Sequence, residues 1–168
     1  VRENPANWSL SGRPGFLRIV AQAGDLAAAA NDARNLLLQL APTGNYLVRT
    51  RLTFDPAANG QTAGLLLRRD DDNYLLLARA YQGGNVIQFI REEACVRSVR
   101  SVPFSGTDVW LRVIRSGTTY SGWYGGAEGA WIRVFDWQSA IINPDLGLAA
   151  WTGRGGAPNL RAEFDYLC

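Results

Sequence analysis

Short apolar segments, each closed by turn-forming residues, follow one another along most of this chain. The segment Asn45–Phe54 alternates strictly, with Val48, Thr50, Leu52 and Phe54 on one face of an extended backbone. Similar segments recur at intervals of roughly eight to twelve residues. They are Leu36–Leu40, Leu65–Arg69, Tyr74–Tyr81, Val86–Glu92, Val96–Val102, Val109–Ser116, Thr119–Tyr124 and Trp131–Trp137. This spacing predicts an all-β sandwich or barrel rather than strands that alternate with helices.

The residue composition of three segments predicts their local conformation. The run Asp70–Asn73 is predicted to form a polar hairpin turn, because Asp and Asn side chains hydrogen-bond the local backbone. The alanine-rich stretch Leu26–Arg34 has helix propensity, and we expect at most a short helix or an irregular loop there. Gly153–Gly156 resembles a phosphate-binding loop only in its glycine content, so we interpret it as a mobile loop.

Chain length and apolar content indicate the number of domains. A chain of 168 residues that is 47% apolar has the size and core of one domain, and it contains no repeat of fixed period and no low-complexity linker. We therefore expect residues 1–168 to form a single domain that folds alone. Because the chain opens at Val1 without an initiator methionine or a secretory signal pattern, we also expect it to be excised from a longer protein.

The residue types that are missing exclude several kinds of chemistry. All 17 basic residues are arginine and the sequence has no histidine, so the chain itself has neither a nucleophilic lysine nor a catalytic histidine. The net charge of +2 is too small for a nucleic-acid-binding surface. No apolar run approaches the roughly 20 residues of a membrane-spanning helix. We expect neither nucleic acid nor a membrane as a partner.

Several sequence motifs carry a resemblance to a known family. The opening stretches Val1–Leu10 and Gly12–Ile19 resemble the start of the β-sandwich domain that follows the catalytic propeller in many family 43 glycoside hydrolases, which are β-xylosidases and α-arabinofuranosidases. The resemblance continues through Asn35–Gln39, Gln61–Leu66, Asp71–Tyr74, Trp110–Val113, Gly117–Tyr120, Asn143–Leu148 and Ala162–Tyr166. It implies a concanavalin-A-like jelly-roll sandwich of two antiparallel sheets, related to laminin-G-like domains, in an extracellular or cell-surface protein.

Three functions remain open for such a domain. The resemblance implies first a noncatalytic accessory domain that binds xylan or a related polysaccharide and packs on a glycoside hydrolase catalytic domain in the same chain. The second is a structural or adhesion domain of laminin-G type without a sugar site. The third is a stand-alone hydrolase, which the carboxylates disfavour: Glu92 and Glu93 are adjacent and face opposite ways, and Glu163-Phe164-Asp165 lacks the second glutamate of the related glucanases.

Aromatic and arginine side chains are the candidates for sugar binding, since aromatic rings stack on the apolar faces of sugars. Trp137 and Trp151 are the preferred stacking platforms because each borders a loop, with Gln138 and Arg154 nearby to bind hydroxyls. Further candidates at strand ends are Tyr81, Trp123 and Tyr124, and Trp131 is predicted to be exposed at a strand end as well. Strand alternation also predicts a second cluster in which Arg49, Arg51, Arg79 and Arg112 line a concave surface. We interpret Trp8, Phe16, Phe54, Phe89 and Phe164 as mainly structural.

A metal site and a disulfide are two further possibilities. Carbohydrate-binding sandwiches often hold one structural calcium ion where the terminal strands meet, and Asp165, Glu3 and Asn4 could supply oxygen ligands there. No other cofactor is expected. Cys95 and Cys168 could form one disulfide in an oxidising compartment or remain two buried thiols, and the sequence favours neither.

Overall fold

The computed structural model describes residues 1–155 and 159–168, which form strands in two antiparallel sheets. The strands are β1 (Trp8–Ser9), β2 (Leu17–Val20), β3 (Leu37–Leu40), β4 (Tyr46–Thr53), β5 (Thr62–Asp70), β6 (Asn73–Tyr81), β7 (Asn85–Glu93), β8 (Val96–Pro103), β9 (Asp108–Ser116), β10 (Thr119–Gly125), β11 (Ile132–Gln138), β12 (Asp145–Trp151) and β13 (Arg161–Phe164). A 3-10 helix at Pro5–Asn7 precedes β1. No helix in the described part of the chain is long and apolar enough to cross a membrane.

The two sheets differ in their number of strands, and in each sheet the spatial order of the strands differs from their order in the sequence. The seven-stranded sheet has the order β1-β2-β13-β4-β9-β10-β11, and the six-stranded sheet has the order β3-β12-β5-β6-β7-β8. Strands distant in sequence are therefore neighbours in space, as in jelly rolls. The predicted sandwich of two antiparallel sheets is confirmed.

The main core lies between the sheets and follows from strand alternation. In β4, Val48, Thr50 and Leu52 are buried while Arg49 and Arg51 are half-buried on the opposite face. Leu111 of the neighbouring β9 points inward in the same way. This core therefore occupies one face of the seven-stranded sheet and leaves the other face to polar and amphipathic side chains.

The central strands of the six-stranded sheet are buried on both faces, which explains their continuous apolar runs. All residues from 74 to 80 in β6 are buried, and residues 62–67 of β5 are buried as well. Leu75 and Leu77 point into the main core, while Leu76 and Ala78 belong to a second apolar cluster on the outer face. A strand with two buried faces carries apolar residues at successive positions.

Residues 25–36, here called the covering segment, lie over this outer face. Leu26, Ala33 and Leu36 of the covering segment are at most 1% exposed and pack in the cluster that contains Leu66 and Trp151. The segment is irregular, and the side chain of Asp25 accepts hydrogen bonds from the backbone at its start. The expected irregular loop is confirmed, because apolar contacts with the sheet override the helix propensity of its alanines.

Strands at both ends of the chain and one central strand were not predicted from alternation. These are β1, β2, β12 and β13. The central one, β12, contains Gly147, where an added Cβ would lie only 2.0 Å from the carbonyl oxygen of Leu37. This close approach between strands requires glycine, and glycine weakens the sequence pattern of a strand. The Asp70–Asn73 hairpin is confirmed, although its strands extend to Asp70 and Asn73 themselves.

The covering segment is predicted to contribute directly to stability. Leu26→Ala removes a fully buried side chain from the second apolar cluster and should lower the free energy of unfolding by about 2–4 kcal/mol. Leu40→Ala is the matched control, because Leu40 is 86% exposed and should cost less than about 0.5 kcal/mol. Urea denaturation measures both variants. Equal midpoints for the two variants would contradict a structural role for the covering segment.

Candidate functional site

Arginine and aromatic side chains gather on the outer face of the seven-stranded sheet. This surface, here called the arginine–tryptophan face, consists of Arg49, Arg51, Trp110, Arg112, Trp123, Trp131, Arg133 and Tyr166. Antiparallel register sets Arg49 opposite Arg112 and Arg51 opposite Trp110 on β4 and β9. The face is open because these residues alternate with the buried residues of the main core.

Arg112 lies near the centre of the face, close to two indole rings. Its guanidinium carbon is 4.2 Å from the ring centroid of Trp131 and 5.1 Å from that of Trp123. At the other side of the face, Trp110 and Tyr166 have ring centroids 5.9 Å apart. The result is a surface of flat rings held in place by cation–π contacts.

A β-bulge brings β11 into this arrangement. The register between β10 and β11 shifts between Gly122 and Trp123, so that Trp123 pairs with Arg133 and Val134 has no direct partner. Arg133 therefore lies on the outer face, with its guanidinium 5.9 Å from the Trp123 ring. Gly122 faces the core, where an added Cβ would lie 2.6 Å from the ring of Phe89. The bulge thus re-aims side chains towards the face, as bulges do near functional sites.

The charges on the face are unequally compensated. Three of its four arginines pair with carboxylates: Arg49 with Glu128 at 3.2 Å, Arg51 with Asp108 at 3.3 Å and Arg133 with Asp136 at 3.0 Å. The side chains in these pairs are more than a third exposed, so each pair contributes little to stability. Among the described residues, no carboxylate pairs with Arg112.

Several polar atoms on the face have no partner. Nε of Arg112, Nε1 of Trp123 and the hydroxyl of Tyr166 are buried and make no hydrogen bond to the described part of the chain. Burial, with a smaller effect of the nearby charge of Arg49, lowers the pKa of Arg112 below its ordinary value. Buried polar groups are ordinarily hydrogen-bonded, so these three atoms depart from the usual pattern within the described residues.

Four of the predicted binding residues meet on this face. They are Arg49, Arg51, Arg112 and Trp123. Trp131, predicted as exposed at a strand end, joins them, whereas Trp110, Arg133 and Tyr166 were missed. Trp110 could have been found, because it precedes Arg112 by two residues on one strand. The positions of Arg133 and Tyr166 depend on the bulge and on the chain after β13, for which the sequence carries no local signal.

The two preferred stacking platforms are buried, so their predicted exposure is wrong. Trp137 is 7% exposed, and its Nε1 donates a hydrogen bond to the carbonyl of Phe89 across the sandwich, at 3.3 Å. Trp151 is 3% exposed and packs under the covering segment. Both side chains end a strand, but each points into an apolar cluster. A position beside a loop therefore did not indicate exposure.

The prediction that Arg79 lines the same surface as the other arginines is also wrong. Arg79 lies on the six-stranded sheet and is 0% exposed. It donates hydrogen bonds to the carbonyls of Gly106 and Ala80 and to the side-chain oxygen of Asn85. Burial lowers the pKa of Arg79, with the charge of Asp55 acting in the opposite direction. Its donors are used to fasten the connection between β8 and β9, so Arg79 does not belong to the arginine-bearing surface.

The remaining candidates are scattered over the molecule. Tyr124 packs edge-on against Phe104 beside the main core, with centroids 5.6 Å apart. Tyr81 is half-buried at the end of β6, and the exposed Gln138 bonds to threonines at the β9–β10 turn. Arg154 is exposed after β12, and Gly156 of the predicted mobile loop lies outside the described residues. These residues do not join the arginine–tryptophan face.

The predicted calcium ligands do not come together. Glu3 and Asn4 precede β1, which runs antiparallel to β2 with Trp8 opposite Ile19. Asp165 follows β13, whose last residue pairs with the opposite end of β2. In the described ranges no group of three or more His, Cys, Asp or Glu residues could hold a metal ion. Glu3, Asn4 and Asp165 therefore do not fit a shared calcium site.

The two cysteines are free and exposed. Cys95 lies in the turn between β7 and β8, whereas Cys168 lies beside Arg49, whose Nε is 3.5 Å from its sulfur. The possible disulfide is therefore absent, and the alternative of two buried thiols is also wrong.

Comparison with known proteins agrees with this geometry. The fold is that of a concanavalin A-like sandwich. Residues 1–157 match a family described as the beta xylosidase C-terminal concanavalin A-like domain of glycoside hydrolase family 43. The chain belongs to this family. Its members are C-terminal, noncatalytic domains of such enzymes.

Similar proteins include both long enzymes and a small module. The chain is 27% identical over 153 residues to the non-reducing end alpha-L-arabinofuranosidase BoGH43B of Bacteroides ovatus, with 88% of this chain and 26% of that protein covered. The GH43 protein BlXynB of Bacillus licheniformis superimposes with a TM-score of 0.89 at 22% identity, over 98% of this chain and 35% of that one. The carbohydrate binding module CBM66 of Bacillus subtilis superimposes with a TM-score of 0.65 at 13% identity, over 96% and 89%. The chain thus spans about a quarter to a third of these enzymes.

The burial of Trp137 predicts a structural role. Trp137→Ala should lower the free energy of unfolding by about 3–5 kcal/mol, because it leaves a cavity between the sheets and removes the hydrogen bond from its Nε1 to the carbonyl of Phe89. Trp123→Ala is the control on the outer face and should cost less than half as much. Urea denaturation of both variants checks the difference. An unchanged midpoint for Trp137→Ala would show that this side chain is not part of the core.

Proposed function

We propose that this chain is a noncatalytic accessory domain that binds oligosaccharides of xylan type or related plant polysaccharides on the arginine–tryptophan face. The observation that carries the proposal is the placement of Trp123 and Trp131 close to Arg112 on an open sheet face, with ring centroids 5.1 and 4.2 Å from its guanidinium carbon. Family membership and the likeness to a carbohydrate binding module support it as analogy, since a shared fold does not by itself define a ligand.

The face offers the two kinds of contact that a sugar requires. Indole rings stack on the C–H faces of pyranose or furanose rings, and guanidinium and indole N–H groups donate hydrogen bonds to hydroxyls. The strands β4, β9, β10 and β11 are neighbours at spacings of about 4.8 Å, so the face is about 14 Å wide. This width suits an oligosaccharide segment rather than a single sugar.

The carboxylates around the face do not suit glycoside hydrolysis. Hydrolysis requires one acid with a raised pKa and a second carboxylate across the scissile bond. Glu128, Asp108 and Asp136 each form an ion pair with an arginine, so none of them is a free carboxylate facing a second one. We therefore assign catalysis to a separate domain of a parent glycoside hydrolase and place that parent outside the cell or on its surface, where its polysaccharide substrates are found.

Tryptophan substitutions on the face test the proposal. Trp123→Ala and Trp131→Ala should each weaken binding of xylan-derived or arabinoxylan-derived oligosaccharides by about tenfold, because each removes one stacking surface. Isothermal titration calorimetry or affinity electrophoresis measures the change. Tyr81→Ala is the control, since Tyr81 lies on the other sheet and should leave binding unchanged. Unchanged binding in both tryptophan variants would refute this location of the site.

A second candidate function is packing against the catalytic domain, which a specific surface favours. An apolar groove of about 470 Å³ opens where the sheet edges containing β2 and β3 meet. Leu10, Phe16, Leu17 and Leu37 contribute to its lining, and Leu10 is 68% exposed. An exposed apolar groove commonly marks an interaction site. The enzymes that this chain matches are about three to four times longer and therefore contain a domain that could cover it.

Hydrogen exchange in the parent protein tests this packing. Amides of residues 10–17 should exchange at least several-fold more slowly in the parent than in the isolated chain, because the catalytic domain excludes water from the groove. Residues 96–103, which form β8 at the opposite edge of the six-stranded sheet, provide the internal control and should exchange equally in both. Equal exchange at residues 10–17 would exclude the groove as the docking surface.

A further inference from the structure

Arg79 and Arg112 differ in whether their Nε–H groups have a hydrogen-bond acceptor in the described part of the chain. Arg79 is buried, and its nitrogen atoms donate to backbone and amide oxygens. Arg112 is half-buried, its Nε has no hydrogen-bond partner, and no carboxylate pairs with it in the described part of the chain. The first arginine holds a loop, whereas the second has no ion-pair partner within the described residues.

The surroundings of Arg112 contain aromatic rings and a like charge. The rings of Trp123 and Trp131 lie close to its guanidinium and displace water, and the residue opposite it on β4 is the cation Arg49. Burial and this like charge both lower the pKa of Arg112. Glu128, Asp108 and Asp136 near the face each pair with one of the other three arginines. The centre of the face therefore carries one uncompensated, partly desolvated cation.

The chemistry of guanidinium favours a particular acceptor at this position. A sugar hydroxyl supplies a neutral hydrogen bond, whereas a carboxylate supplies two parallel charge-assisted bonds that are about twice as strong. The N–H groups lie in the guanidinium plane, and the guanidinium carbon is 4.2 Å from the ring centroid of Trp131. An incoming carboxylate would thus meet the cation while its sugar ring contacts the tryptophans.

We propose that the arginine–tryptophan face selects acidic oligosaccharides, in which a uronic acid carboxylate binds Arg112 while a sugar ring stacks on Trp123 or Trp131. This inference rests on the proposed function, since it specifies the ligand class of the same site. Neutral segments of the chain bind through the aromatic rings alone and hence more weakly.

Three probes of matched length test the selection. They are a xylo-oligosaccharide with one glucuronic acid substituent, the same compound after reduction of its carboxyl group to an alcohol, and the unsubstituted xylo-oligosaccharide. By isothermal titration calorimetry the 168-residue chain should bind the acidic probe about tenfold more tightly than either neutral probe. The preference should shrink when sodium chloride rises from about 0.05 M to about 0.5 M, because salt screens the exposed part of the interaction.

Two substitutions at one position separate charge from geometry. Arg112→Gln should abolish the preference for the acidic probe and leave the affinity for the neutral probes nearly unchanged. Arg112→Lys keeps the charge but loses the planar donors, so it should retain only part of the preference. Arg34→Gln is the matched control, because Arg34 is exposed on the covering segment over the other sheet and its loss changes the net charge equally. Thermal melting of each variant confirms that it is folded.

The outcomes distinguish this inference from the proposed function. Equal binding of acidic and neutral probes by the unchanged chain would overturn the selection of acidic sugars while the face remains a sugar site. A preference that survives in Arg112→Gln would also overturn it. Binding of none of the probes would refute the proposed function together with the inference.

Discussion

The covering segment decides which surfaces of this sandwich remain available. By burying Leu26, Ala33 and Leu36 against the six-stranded sheet, it converts an outer sheet face into a second apolar cluster. The central strands β5 and β6 then have core on both sides, and they carry apolar residues at successive positions. The open sheet face is the outer face of the seven-stranded sheet, which is where arginine and tryptophan side chains gather.

Arginine performs three different tasks in a chain without lysine. Arg79 fastens a loop inside the molecule, and Arg13 and Arg18 both bind Glu163 beside β2. Burial acts to raise the pKa of Glu163, but the hydrogen bonds from these arginines outweigh it and hold the pKa below its ordinary value. Arg112 has no such partner. The planar, multi-donor side chain serves each task, which a compact ammonium group would not.

Strand alternation was sufficient to predict the arginines that lie on regular strands of the site. Arg49, Arg51 and Arg112 were placed on one surface because regular strands put alternate residues on the same face. The same argument failed for Arg79, because its strand is buried on both sides and alternation there distinguishes two cores rather than core and solvent. Proximity to a loop failed for Trp137 and Trp151 for a related reason: a strand end can still point inward. The family resemblance implied the fold class, whereas β12 was not predicted, because its small residues conceal the strand pattern.

The bulge opposite Trp123 shows that part of the arginine–tryptophan face depends on how many residues β11 contains, and not only on which residues they are. Arg133 and Asp136 are three positions apart, and in a regular strand they would point to opposite sides. The single extra residue Val134 restores them to one side, where they form an ion pair. Related chains that keep the identities of these residues but lose one residue from β11 would therefore present a different surface. Aligned identity in this strand is informative about the face only where the strand length is also preserved.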